Sequence, residues 1–278
     1  MVDSASFFGF LPIGRRAIGI TQLLNKLESY LPPDQVEQIR EAYDFGASAH
    51  EGQKRRSGEP YIAHPVAVAD LLADLHMDSQ TIIAAILHDV IEDTPTLKDE
   101  IEIKFGKEVA EIVDGVSKLD QVQFTSRAEA QAESFRKMLL AMVQDIRVIM
   151  VKLADRTHNM RTLGAMPENK RRAIAKETLD IYAPIANRLG IYNIKNELED
   201  LGLRTLYPNR YKVIEKAVKV ARGNQRQFVD KIKSTIEDAL SKAGIKGIVE
   251  GREKHPYSIY QKMKRKRTSL NDIVDVFG

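Results

Sequence analysis

The chain has no cysteine among its 278 residues, so disulfides, zinc–thiolate sites and thiol nucleophiles are excluded. It has no run of about 18 apolar residues, the length a membrane-crossing helix needs, and no such helix is expected. The N-terminus, Ser6-Phe7-Phe8-Gly9-Phe10-Leu11-Pro12-Ile13-Gly14-Arg15-Arg16, is apolar first and basic after, the reverse of a secretory signal. Internal repeats and low-complexity tracts are missing too. Nor does one sign of charge dominate: 42 Lys and Arg against 39 Asp and Glu leave +3, too mild for a fold that grips nucleic acid over its whole surface. The absences fit a cytoplasmic protein.

What is present describes an ordinary globule, 43% hydrophobic and 29% charged. Helical periodicity recurs over residues 21–30, 33–50, 66–76, 79–93, 97–105, 107–118, 127–145, 147–163, 168–185, 194–206, 208–221 and 224–243. Pro33 suits the first turn of one helix and Gly106 the end of another. Ser126 is placed to cap the helix after it, with Glu129 as its capping-box partner, and residues 122–127 read as a flexible loop. After Gly244 the pattern changes. Residues 245–251 and 273–277 read as strands of alternating apolar residues. The basic run Lys262-Met263-Lys264-Arg265-Lys266-Arg267 reads equally as a solvated segment or a nucleic-acid patch. The fold class expected is all-α, with a short α/β tail.

The heptapeptide His88-Asp89-Val90-Ile91-Glu92-Asp93-Thr94 is the most informative stretch. Across residues 79–93, Ile83, Ile86, Leu87, Val90 and Ile91 follow the spacing of a core-facing helix. At about 100° per residue, His88, Asp89, Glu92 and Asp93 fall on the opposite face, behind the small Ala84 and Ala85. A solvated face is the plain alternative, but such faces mix Lys with Glu. Here an imidazole and three carboxylates stand without a cation, a set that repels itself unless one binds.

Two ligands do not complete a coordination sphere, and mixed N/O donors suit hard or borderline divalent ions. His64, in Pro60-Tyr61-Ile62-Ala63-His64-Pro65 just ahead of the next helical run, is one further candidate, with a loop role as its alternative. Asp155 is the other. It follows residues 148–154, which are apolar on almost every side apart from Lys152, so its carboxylate is expected to be buried and to need a partner. An ion, Arg156 or Arg161 could serve. Asn159 and Thr162 lie on the same face.

These residues carry a resemblance. The chain resembles the HD superfamily of metal-dependent phosphohydrolases, and within it the hydrolase half of the RelA/SpoT (Rel) alarmone enzymes, from about Tyr43 onward. The matching motifs are Arg55-Arg56-Ser57-Gly58-Glu59-Pro60-Tyr61-Ile62-Ala63-His64-Pro65, the heptapeptide at His88, and Asp114-Gly115-Val116-Ser117-Lys118-Leu119. Two more follow: Lys152-Leu153-Ala154-Asp155-Arg156-Thr157-His158-Asn159-Met160-Arg161-Thr162-Leu163 and Ala183-Pro184-Ile185-Ala186-Asn187-Arg188-Leu189-Gly190. Thr157 is a small departure, where the family more often carries Leu.

The resemblance implies an HD-superfamily helical hydrolase domain, a Mn2+ ion, and hydrolysis of the 3′-pyrophosphate of (p)ppGpp. By position, His64, His88, Asp89 and Asp155 would hold the ion and Glu92 and Asp93 would act on water. Arg55, Arg56 and Ser57 would grip the guanosine, with Asn159 and Thr162 beside the nucleotide. The tail resembles the opening of the family's α/β nucleotidyltransferase-like synthetase. Arg252, Lys254 and Lys262 match donor-phosphate positions and Asp275 the first Mg2+ carboxylate. The second carboxylate is not in the chain, so the segment is expected to be truncated and silent.

The domain boundaries expected are an N-terminal extension over 1–20, the hydrolase over 21–206, linking helices over 207–243 and the incomplete synthetase over 244–278. Expected partners are the small-molecule substrate, no membrane and no direct nucleic acid, with ribosome or regulatory proteins engaged only through further C-terminal domains. A phosphohydrolase of another nucleotide, or a catalytically silent nucleotide-sensing module, stays open.

Overall fold

The structure, a computed structural model, describes residues 19–120, 144–249 and 255–267, with the backbone course alone at 120 and 221–230. Among the described residues all regular structure is helical. The chain divides into two compact units. One runs through Glu168 and includes Asp180–Tyr182; the other comprises Asn169–Leu179 and everything from Ala183 on.

The first unit contains α1 (Ile20–Leu27), α2 (Pro33–Ala49), α3 (Ala63–Ala73), α4 (Ser79–Leu87), α5 (Val90–Asp93), α6 (Lys98–Phe105), α7 (Lys107–Asp120) and α8 (Ile146–Arg161). Every residue of α4 except Gln80 is buried, and α2, α3, α7 and α8 all pack on it. A helix apolar on all sides belongs at the centre. Its N-terminus is fixed by Asp78, which accepts from the Thr81 backbone N–H at 2.9 Å and from its hydroxyl at 2.8 Å. Asp145 caps α8 through the Arg147 N–H at 2.8 Å. The Arg147 guanidinium joins the two caps, 2.6 Å from Asp145 and 3.5 Å from Asp78. The starts of the two central helices are thus tied to one cation.

Helix α7 meets α8 closely because Gly115 has no side chain. A Cβ there would stand 2.8 Å from Val148 Cγ2 and 3.3 Å from Cγ1. Gly115→Ala is therefore expected to destabilise the protein by about 1–3 kcal/mol, the usual cost of overpacking, although alanine is the better helix former. A denaturation midpoint equal to the parent's would show that the two helices can separate freely.

The second unit holds α9 (Glu168–Glu177) from Asn169 onward, α10 (Ala183–Arg188), α11 (Tyr192–Leu206), α12 (Pro208–Lys242) and α13 (Pro256–Lys266), with a π-helical turn, Thr178–Tyr182, shared between the units. Leu203, Tyr211, Ile214, Ile259 and Tyr260 form one hydrophobic cluster in it. No described helix is long and apolar enough to cross a membrane.

Four sequence expectations change. The helix expected over 79–93 ends at Leu87; His88 and Asp89 form a turn and the chain re-enters helix at Val90. His64 is not a loop residue but lies in the first turn of α3. The helices expected over 208–221 and 224–243 are one, because an interior Gly223 costs only about 1 kcal/mol and the helix continues through it. The strand expected at 245–251 does not form over 245–249. A strand needs a neighbour to pair its backbone, none exists among the described residues, and Ile245 and Ile248 are left exposed. The N-terminal aromatic cluster, the 122–127 loop, the Ser126 cap and the strand at 273–277 lie outside the described residues.

Candidate metal centre

Three helices of the first unit deliver the cluster. α3 supplies His64 from its first turn, the turn after α4 supplies His88 and Asp89, and α8 supplies Asp155 from its middle. His64, His88 and Asp155 are buried, and one ligand atom from each lies within 4.8 Å of the others. His64 Nε2 is 3.2 Å from Asp155 Oδ1 and 3.8 Å from Asp89 Oδ2. His88 Nε2 is 3.1 Å from Asp89 Oδ1 and 3.9 Å from Asp155 Oδ1.

The other atoms of these groups are occupied in ways that aim them. His88 Nδ1 donates to the Ala85 carbonyl at 2.8 Å, which turns Nε2 toward the cluster. That Nε2 is buried, yet lacks a hydrogen-bond partner. Asp155 Oδ2 accepts from the buried Lys152 ammonium at 2.9 Å, while Oδ1 faces the histidines and accepts from Asn159 Nδ2 at 2.6 Å. A buried nitrogen without a hydrogen bond, amid imidazole and carboxylate donors, fits a divalent ion.

The charge balance of the metal-free cluster is tight. Burial lowers the His64 pKa below its ordinary value. Burial would do the same to His88, but the Asp89 and Asp155 carboxylates raise it to about 9. Burial opposes ionisation of Asp89 and Asp155, yet His88 holds the first below the usual carboxylate range, and Lys152 holds the second well below it.

The remaining expected residues divide. Arg55 reaches the cluster's supports: Nη2 donates to Asn159 Oδ1 at 3.0 Å and Nη1 lies 3.2 Å from His158 Nδ1. Its loop is a tight turn, with the Arg55 N–H on Glu59 O and the Gly58 N–H on Arg55 O, both 2.9 Å. Gly58 sits there at φ +89°, where only glycine is unstrained. Arg56 and Ser57 are exposed at the tip. Glu92 and Asp93 are exposed on α5, and Asp93 Oδ2 lies 2.6 Å from the Tyr61 hydroxyl. The Thr162 hydroxyl donates to the His158 carbonyl at 3.1 Å and closes the end of α8. Lys262 lies on α13 in the second unit; Arg252, Lys254 and Asp275 fall outside the described residues.

Three groups were missed as site residues. Tyr61 has its hydroxyl 2.7 Å from Asp89 Oδ2 as well as beside Asp93. Burial, and then the two carboxylates, push its pKa far above that of an ordinary phenol, so it remains a donor. Lys152 is the cation the structure places on Asp155, at 2.9 Å; Arg156 lies over the Tyr182 ring and donates to its hydroxyl at 2.9 Å. Spacing explains this, because residues three apart share a helix face and adjacent ones do not. His158 lies three residues after Asp155 by the same rule, with Nδ1 2.7 Å from His64 Nδ1. Burial, aided by His64, Arg55 and Arg161, lowers its pKa to about 3, so its ring is neutral.

A helical unit that gathers histidines and aspartates at one buried point is the arrangement of an HD domain, a metal-dependent hydrolase family, and the chain belongs to that family: the HD domain model matches residues 42–192. Its relatives are more particular. It is 59% identical over 256 residues to the bifunctional (p)ppGpp synthase/hydrolase SpoT of Escherichia coli (strain K12), covering 92% of this chain and 36% of that protein. It is 57% identical over 251 residues to a guanosine-3′,5′-bis(diphosphate) 3′-pyrophosphohydrolase of Vibrio cholerae, covering 90% and 36%. A solved structure of a metazoan ortholog of SpoT that hydrolyzes ppGpp aligns with a TM-score of 0.48 at 26% identity, over 63% of this chain and 96% of that one. The chain thus spans little more than a third of the length of these two bacterial relatives.

Proposed function

We propose that the chain hydrolyses the 3′-pyrophosphate of (p)ppGpp to GDP or GTP plus pyrophosphate, in stringent-response control in the bacterial cytoplasm, with Mn2+ held by His64, His88, Asp89 and Asp155. The observation that carries the reading is the buried Nε2 of His88, which makes no hydrogen bond and stands 3.1 Å from Asp89 Oδ1 and 3.9 Å from Asp155 Oδ1, in a chain 59% identical to a protein named for this chemistry.

Hydrolysis requires water to attack the phosphorus bonded to the 3′ oxygen; the P–O3′ bond breaks, pyrophosphate leaves with the water oxygen, and O3′ takes a proton. A bound divalent ion supplies charge neutralisation and a lowered water pKa. The residues do the rest. Glu92 or Asp93 accepts the water proton, Tyr61 orients Asp93, and Gln53 Nε2 fixes the Asp93 carbonyl at 3.1 Å. Arg55 offers a planar cation to stack on the purine; Arg56, Ser57, Asn159 and Thr162 complete the nucleotide side. Incubation with ppGpp and each divalent ion in turn is expected to release pyrophosphate with Mn2+. No release with any ion would overturn the reading.

The domain reading extends this. The hydrolase occupies 21–206, a linking helix 207–243 and a synthetase-like segment 244–278, with Arg252, Lys254, Lys262 and Asp275 as its donor-phosphate and metal positions. Deleting everything after Ala243 is expected to leave ppGpp hydrolysis largely intact, since each proposed hydrolase residue lies between Arg55 and Thr162. A deletion variant that keeps its helical circular dichroism yet loses most hydrolysis would show that the tail supports the substrate loop.

A further inference from the structure

His64 can serve an ion only if Nε2 carries its lone pair, and the surroundings of its other nitrogen decide that. His64 Nδ1 and His158 Nδ1 lie 2.7 Å apart, so one proton stands between them, and either ring could own it. Arg55 settles ownership. Its Nη1 lies 3.2 Å from the same His158 Nδ1, and a guanidinium only donates. His158 Nδ1 must therefore be an acceptor, its single lone pair shared between the guanidinium and the facing ring, and the proton between the rings belongs to His64 Nδ1. His64 Nε2 is then a bare lone pair 3.2 Å from Asp155 Oδ1, acceptor against acceptor, a contact that a cation between them relieves. The acceptor ring is itself held in place: the His158 carbonyl takes both the Thr162 N–H and the Thr162 hydroxyl at 3.1 Å, and the two imidazole centroids stand 4.8 Å apart.

From this we propose that His158 is a positioning residue for the metal centre, fixing His64 in the Nδ1–H tautomer and joining it to Arg55 of the substrate loop. The usual partner of a ligand imidazole is a carboxylate, a carbonyl or water; here it is a second imidazole that a substrate-loop arginine also grips. The proposal rests on the metal reading above.

The test is Mn2+ titration of metal-free protein by calorimetry, using the full chain. His158→Phe keeps the ring and loses the acceptor, and is expected to weaken Mn2+ binding about 10–100-fold, the range for such supporting partners. His158→Asn offers Oδ1 as acceptor and is expected to restore most of the affinity, which a purely space-filling role would not. Equal affinity in the parent and the Phe variant would overturn this assignment alone; no Mn2+ binding by the parent would overturn the metal reading with it. A second measurement needs no variant fold. In 15N-histidine spectra of the metal-free parent, His64 is expected to show the Nδ1–H pattern, and an Nε2–H pattern would overturn the assignment.

Discussion

Replacing His64, Asp89 or Asp155 with alanine is expected to remove bound Mn2+ and ppGpp hydrolysis together. Each side chain contributes an atom to a cluster whose members are spaced 3.1–3.9 Å apart, so each deletion opens the coordination sphere on one side. The three losses differ in what they leave behind. Without Asp155, Lys152 and Asn159 lose the carboxylate they both contact. Without Asp89, Tyr61 keeps Asp93 as its acceptor, so the loss falls chiefly on the ion. Without His64, the acceptor at His158 Nδ1 retains Arg55 alone. Elemental analysis at equal protein concentration reads the loss of the ion, and full Mn2+ occupancy in all three variants would sink the ligand assignment.

The gathering of His64, His88 and Asp155 was legible in the sequence for a physical reason: carboxylates and imidazoles without a neighbouring cation are rare on a helix, and Asp155 follows an apolar run that had to be buried. The sequence misled on the local backbone. Period-3.6 spacing continued through His88 and Asp89, so nothing in the apolar pattern marked the turn that the structure places there. The supports were harder still. Lys152 interrupts an apolar stretch and His158 lies three residues past Asp155, and both signals could have been read from spacing alone. Tyr61 could not, because its two carboxylate partners lie 28 and 32 residues away, and no short-range pattern reports such contacts. The tail shows the converse: the apolar alternation over 245–251 was real, but a strand depends on a neighbour that the described residues do not provide.

Glu92→Gln and Asp93→Asn are expected to lower kcat by about 10²–10⁴-fold, the range for a general acid–base group, with Mn2+ retained. The Asp89 carbonyl accepts the Glu92 N–H at 3.2 Å and the Asp93 N–H at 2.9 Å. The short helix α5 is therefore anchored on the back of a proposed ligand, and its two carboxylates follow that ligand in space without joining the buried triad. Both are exposed, as groups that exchange a proton with water should be. Asp93 has the firmer placement, through Tyr61 at its side chain and Gln53 at its carbonyl. An amide keeps the size of each side chain and removes its capacity to take a proton, so Mn2+ content should hold while turnover falls. Tyr61→Phe keeps the ring stack on His50, at a centroid distance of 4.5 Å, and loses the hydroxyl beside both Asp93 and Asp89, so unchanged Mn2+ content is what assigns its effect to Asp93. If Asp93 is the group that acts on water, this change lowers kcat in the parent and adds little to Asp93→Asn, because the two alterations disable the same step. If both amide variants hydrolyse ppGpp at the parent rate, neither carboxylate acts on water and the catalytic assignment fails.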